Sequence, residues 1–181
     1  VTRFAEAHRE VALAGGEGAS LRGFPPSLTQ AIMGLAERAG PGPEGAGDIT
    51  AVFSVLVAGS DMEEPVADIL RGVLDGHVVM DRRIAERGRF PAIDLLRSVS
   101  RSLPEAATEE ENGLIGEARR LLGAYARAEM MIQAGLYATG SDSVIDRAIK
   151  VWPGLDGFLA EAAPETGISG SFERLKVSLK G

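Results

Sequence analysis

The sequence contains no cysteine, which removes disulfides, thiolate nucleophiles and cysteine-based metal centres together. That composition suits a reducing cytoplasm, and a cysteine-free secreted protein equally. Lysine is almost as scarce: Lys150, Lys176 and Lys180 are the only three, so all basic charge before Lys150 is arginine. A phosphate-cradling P-loop needs a glycine-rich turn followed by a lysine and a hydroxyl residue. Gly15 to Gly23 is the one glycine-rich turn that leads into a helix, and it holds no lysine. Triphosphate therefore has no ammonium group to grip it in this part of the chain. Histidine is limited to His8 and His77, far apart and without carboxylate spacing suited to zinc or iron; both read as structural. No serine stands in a Gly-x-Ser-x-Gly elbow. No apolar run reaches the roughly 18 residues of a membrane-spanning helix, and Val1 to Glu6 lack the layout of a signal peptide. A soluble protein is expected.

What is present is enough to fold. The 181 residues, 45% of them hydrophobic, suffice for one domain of ordinary size with a buried core. The net charge of −7 repels phosphate backbones and argues against nucleic-acid binding. Phe4, Ala7, Val11 and Ala14 fall at helical spacing, and Gly15 to Gly18 end that helix. Ser27 is the expected N-cap of a second helix carrying Leu28, Ile32 and Leu35 on one face. Gly40 to Gly47 forms a Gly/Pro loop. Ile49 to Val57, apolar at nearly every position, predicts a strand of a parallel sheet covered on both faces. A helix from Pro65 to Leu74, a short buried strand at His77 to Met80 and a helix around Asp81 to Glu86 follow, then Ile93-Asp94 and a segment near Ser98 to Arg101 as a candidate third strand. The alternation indicates a wound α/β sheet, and so few strands leave that sheet short of the usual five or more.

Beyond Pro104 the strand signal ends. Leu114, Ala118, Leu121, Leu122, Tyr125, Ala128, Ile132 and Leu136 form one long helical stripe, opened by the acidic start Glu109-Glu110-Glu111. Gly135 to Ser143 is a turn, and a return helix begins at Val144, which Pro153 should kink or restart. Ser171 to Leu179 is a last short helix. One residue invites a chemical reading: Arg101, at the end of the last strand, is placed to reach a neighbouring subunit's phosphates. Spacing alone fits an ordinary surface arginine as well.

Several segments in order resemble flagellar and type III secretion export ATPases. Thr2-Arg3-Phe4-Ala5, Arg9-Glu10 and Ala14-Gly15-Gly16-Glu17 are similar to the stretch after that family's Walker B aspartate, and Gly23 to Ser27 to the loop that follows. Pro65-Val66-Ala67-Asp68, Arg71 to His77, Ala85 to Gly88, Phe90 to Asp94 and Arg97 to Arg101 continue the match. The resemblance implies an α/β fold: residues 1–103 as the C-terminal half of a RecA-like P-loop ATPase domain, then an all-α helical domain over 104–181. It implies a homo-hexamer that hydrolyses ATP with Mg2+ to energise protein export, cytoplasmic and peripheral at the inner face of the membrane. Arg101 matches the arginine finger and Arg3 an arginine near the γ-phosphate, although a helix-start salt bridge would also suit Arg3. Phe90 and Pro91 match the positions that stack on adenine, and core packing is the other use for Phe90. Gly23 to Leu28 corresponds to the central-pore loop and Gly135 to Ser143 to the tip facing a central stalk. Only Asp142 is charged there, leaving Tyr137 as a packing contact.

The Walker A, the catalytic glutamate and the Walker B aspartate would precede Val1, so these residues by themselves should neither hydrolyse ATP nor hold it tightly. Stalk, stator or regulator proteins and chaperone–substrate complexes are the implied partners. A non-enzymatic module binding chaperones or a stalk through its helical hairpin is the alternative from another class. A piece of another RecA-like hexamer, such as an ATP synthase subunit, is a third.

Overall fold

The computed structural model describes the backbone of residues 1–181 and all side chains except those of Leu21 and Ser60. It contains α1 (Thr2–Ala14), α2 (Ser27–Ala36), α3 (Pro65–Val73), β1 (Gly76–Met80), α4 (Arg82–Glu86), β2 (Ile93–Ser100), α5 (Glu109–Gln133), α6 (Ser143–Ala160) and α7 (Gly167–Ser178). The chain divides into two compact units, Val1–Asp75 and Gly76–Gly181.

In the first unit the apolar faces of α1, α2 and α3 meet at Ala5, Leu28, Ile32, Val66 and Leu70, with Phe24 beneath them. Arg9 lies over the Phe24 ring, 5.1 Å from its centroid, a cation–π contact that keeps the guanidinium at the rim of the core. Ser27 does not act as the N-cap of α2. It is the first helical residue, and the cap comes from Glu17, ten positions upstream. The Glu17 carboxylate accepts from Ser27 N at 2.9 Å and from its hydroxyl at 2.6 Å. That hydroxyl lies 2.8 Å from His8 Nε2; having given its proton to Glu17, it accepts from the ring. His8 is thus structural, as expected.

The bonds from the Ser27 hydroxyl and then its amide hold the Glu17 carboxyl below its ordinary value of 4.5. A carboxyl lowered in the folded state adds stability above its ordinary value and loses it as pH falls through the lowered one. Glu17→Gln should therefore weaken the acid dependence of unfolding, read as the shift in melting temperature on acidification from neutral pH. An unchanged acid limb would remove this clasp from the account.

Ile49 to Val57 is the largest departure from the sequence reading. The segment is extended but forms no strand: one bridge joins Gly40 to Ile49, and Leu56 N donates to Thr2 Oγ1 at 2.9 Å. Its apolar side chains are not covered on both faces; Val52 is 95% exposed and Leu56 72%. Apolar content marks a segment suited to a sheet interior, but a ladder needs partner strands on each side, and among the described residues none lies against it.

In the second unit β1 and β2 form a two-stranded antiparallel sheet, not a pair of parallel strands. β1 is half-buried: only Val79 points inward, and Val78 and Met80 are exposed. The helical part closes around Ala118, Leu121, Leu122, Ala124, Val151 and Leu155, with Leu175 and Leu179 from the last helix and its cap. Tyr125 of α5 stacks flat on Trp152 of α6, ring centroids 3.9 Å apart; burial is the main cause that raises the Tyr125 phenol above its usual range. The acidic start of α5 is a capping box: Glu111 N donates to Thr108 Oγ1 at 3.3 Å and Thr108 N to Glu111 Oε2 at 2.8 Å.

Two details of the hairpin differ from expectation. α6 runs unbroken through Pro153, because Val151 and Leu155 on either side are both buried in the core and hold the helix across the one lost backbone bond. Leu136 lies outside the stripe; α5 ends at Gln133, and Leu136 sits in the turn, 77% exposed. That turn is ordered from within. Gly135 and Gly140 take positive φ of 67° and 92°, which glycine adopts without cost. Asp146 receives Gly140 N at 2.9 Å and the Tyr137 hydroxyl at 2.9 Å. The Tyr137 hydroxyl is thus engaged inside the loop. Among the described residues, no helix is long and apolar enough to cross a membrane.

Candidate functional site

The segment that carries three of the four sequence-derived site residues runs from the end of β1 to the end of β2. Asp81 starts α4 by accepting Arg83 N at 2.7 Å. The helix is one turn long, and Gly88, with φ 78°, reverses the chain. Arg89 then turns inward: its Nε lies 3.1 Å from Asp156 Oδ1 on α6, and Nη2 donates to Ile93 O at 3.0 Å. Its side chain is 11% exposed and its Nη1 is buried with no hydrogen bond. With Arg89 spent on the interior, Phe90 is left outside, 62% exposed, and Pro91 is exposed beside it. Phe90 is thus not packed in the core formed by the described residues. An exposed aromatic face next to a rigid proline is an apolar platform suited to a planar ring.

Arg101 follows the other end of β2 and is exposed. Ile93 pairs with Met80 and Ser100 with Gly76, so at about 3.3 Å per residue of β1 the two ends of β2 stand about 13 Å apart. The structure does not bring Phe90 and Arg101 together. It mounts them at opposite ends of one strand, so that one phosphate-bearing ligand could not meet both within a single chain unless it reached the length of the strand. Arg3 belongs to the first unit. It is exposed on the first turn of α1, and among the described residues it enters no salt bridge.

Between the two ends lies a feature the sequence reading missed. Pairing advances from His77 to Val79 on β1 while it jumps from Val99 to Asp94 on β2. Residues 95–98 therefore bulge out of the ladder. Asp94 closes the bulge by accepting Leu96 N at 3.1 Å and Arg97 N at 3.2 Å. The buried Ser98 hydroxyl donates to Asp94 O at 2.6 Å and accepts Val79 N at 3.0 Å, standing in for a missing backbone partner. Arg119 of α5 donates to the carbonyls of Leu95, Leu96 and Ser98 at 3.0, 3.3 and 3.3 Å. Its only signal in the sequence is a charge three and four residues from Leu122 and Ile115, on the apolar side of a long helix. Among the described residues, no group of three or more His, Asp or Glu side chains is placed to hold a metal.

Two stretches of the chain match known protein families. Residues 1–100 match the ATP synthase alpha/beta family, nucleotide-binding domain, and residues 107–173 match the T3SS EscN ATPase C-terminal domain. The chain belongs to the ATP synthase alpha/beta family. Within that family its likeness is to the flagellar and type III secretion ATPases. It is 47% identical to the Flagellum-specific ATP synthase of Caulobacter vibrioides over 97% of this chain and 41% of the relative. The assembled ATPase EscN of the enteropathogenic E. coli type III secretion system superposes with a TM-score of 0.90 at 35% identity, covering 98% of this chain and 43% of that one. The same ATPase in complex with its central stalk EscO superposes at 0.85, with 37% identity over 99% of this chain and 42% of that one. The chain thus spans about two fifths of the length of these relatives.

Proposed function

We propose that the protein to which these residues belong is a homo-hexameric ATPase that hydrolyses ATP to energise flagellar or type III protein export. The observation that carries this reading is the order of the two family matches, nucleotide-binding domain and then the secretion-ATPase C-terminal domain, on one chain. It works in the cytoplasm, peripheral at the inner face of the membrane, with a central stalk, stator or regulator proteins and chaperone–substrate complexes as partners. Its acidic charge leaves nucleic acid out. The functional division falls at 103/104: residues 1–103 complete the nucleotide-binding domain, and 104–181 form the helical domain whose Gly135 to Ser143 tip meets the stalk.

In this reading Phe90 and Pro91 hold the adenine of one site, and Arg101 serves the site of the neighbouring subunit, where its fixed guanidinium meets charge developing on the transferred phosphoryl group. The separation of the two along β2 supports that division of labour. Arg3 stands near the γ-phosphate. Mg2+, when bound with ATP, neutralises phosphate charge; its ligands and the phosphate-gripping lysine come from outside these residues.

The test is to compare residues 1–181 alone with the same residues joined to the nucleotide-binding half that their relatives possess. The joined protein should turn over ATP and the chain alone should not. Turnover by the chain alone at a rate comparable to the joined protein would refute the proposal. Binding of stalk or chaperone by a joined protein that neither binds nor cleaves ATP would favour a pure interaction module.

A further inference from the structure

The bulge in β2 is held from the helical domain. Three carbonyls of the bulge, those of Leu95, Leu96 and Ser98, converge on the single guanidinium of Arg119. The register with β1 passes over those residues, because pairing on β2 skips from Asp94 to Val99. A planar fork with five donors suits this task; a point charge does not. No carboxylate among the described residues pairs with Arg119, so its charge is committed to these peptide dipoles. Arg119 shares the lining of one apolar cavity with Leu95, Ile115 and Leu122, so what fixes the fork is its three hydrogen bonds. The last carbonyl it holds belongs to Ser98, three residues before Arg101. A bulge re-aims the residues that follow it, and Arg119 on α5 braces this one together with Asp94 and Ser98.

We propose that Arg119 is a positioning residue for Arg101: by gripping the 95–98 bulge it fixes the direction in which β2 delivers the Arg101 guanidinium. This rests on the reading of Arg101 given above. Arg119 touches no reacting atom; it acts through the strand.

The test uses the ATP-hydrolysing protein, with residues 1–181 joined to the nucleotide-binding half, as Arg119→Ala, Arg101→Ala and the double variant. Misplacing a catalytic group by about 1 Å costs about 100-fold in rate, so Arg119→Ala should lower kcat by about 10- to 100-fold. KM for ATP should stay within about twofold, since adenine and phosphate binding are untouched. In the Arg101→Ala background the further loss on removing Arg119 should shrink to about twofold or less, because the two act as one unit. Arg119→Lys, which keeps charge but not the fork, should be slowed almost as much while unfolding at nearly the wild-type temperature, and it carries the same readouts if the alanine variant does not fold.

A merely structural Arg119 would lower the melting temperature and leave kcat unchanged; that result overturns the proposal. So does an equal loss with and without Arg101. Full turnover by Arg101→Ala alone would remove the arginine finger itself and this inference with it. A slow Arg101→Ala beside a fast Arg119→Ala removes only the positioning role.

Discussion

Arg101→Ala, in residues 1–181 joined to a nucleotide-binding half, is expected to lower ATP turnover by about 1,000-fold or more while nucleotide affinity changes little. Phosphoryl transfer offers the protein little covalent work; its rate depends on placing positive charge where negative charge gathers, and one arginine supplied across an interface is worth about 10³ to 10⁵ in rate. A 1,000-fold loss corresponds to about 4 kcal/mol of transition-state stabilisation. The structure supports this use in two ways. Arg101 leaves the end of β2 into solvent, and the strand behind it is braced by the Ser98 hydroxyl and the Arg119 fork. A guanidinium on a braced strand acts without reorganising during the reaction. Steady-state turnover and equilibrium binding of a fluorescent nucleotide separate rate from affinity. Undiminished turnover would take Arg101 out of the mechanism; a loss seen only in affinity would make it a binding residue.

Leu121→Ala should destabilise the helical part by about 3 kcal/mol, within the range of about 2 to 5 for a buried leucine. Leu121 has no solvent exposure and stands in the cluster where α5, α6 and α7 meet. Removing the isopropyl end of its side chain leaves a void that stacked Tyr125 and Trp152, locked face to face, are poorly able to fill. Leu136→Ala is the matched control: the same substitution at an exposed site in the turn should stay within about 0.5 kcal/mol. Urea unfolding with equal m-values decides between them. Equal midpoints for the two variants would mean that this core is not what holds the hairpin together.

The parts of the chain that could be read without coordinates are those whose contacts are local. α1, α3, α5 and α6 carry apolar residues three and four apart with turn formers at their ends; α1 and α3 appear within a residue of where periodicity puts them, whereas α5 stops three residues short of Leu136 and α6 runs on through Pro153. The acidic start at Glu109 to Glu111 is a helix N-terminus because its capping partner, Thr108, is adjacent in the chain. The strand predicted at Ile49 to Val57 fails for the opposite reason. Its composition reports what kind of surroundings the segment suits, but pairing depends on other strands, and none of the described residues supplies them. Ser27 fails as a cap because it is already the first helical residue, and its amide and hydroxyl both donate to Glu17, ten residues away. The site was half legible. Phe90, Pro91, Arg101 and Arg3 emerge from the resemblance, whereas Ser98, Arg89, Asp156 and Arg119 do not, since each works through a partner distant in sequence.

Taken by itself, then, the order of residues determined that no lysine before Lys150 can grip a phosphate, that helices follow Pro104, and that the chain resembles export ATPases. Those conclusions need only residue identity and near-neighbour spacing. Only the folded chain decided that β1 and β2 run antiparallel, that the apolar run at 49–57 is unpaired, and that one guanidinium from α5 grips the strand leading to Arg101. Hydrogen bonds between groups twenty or more residues apart depend on where the intervening chain has been folded, and no local pattern records that distance.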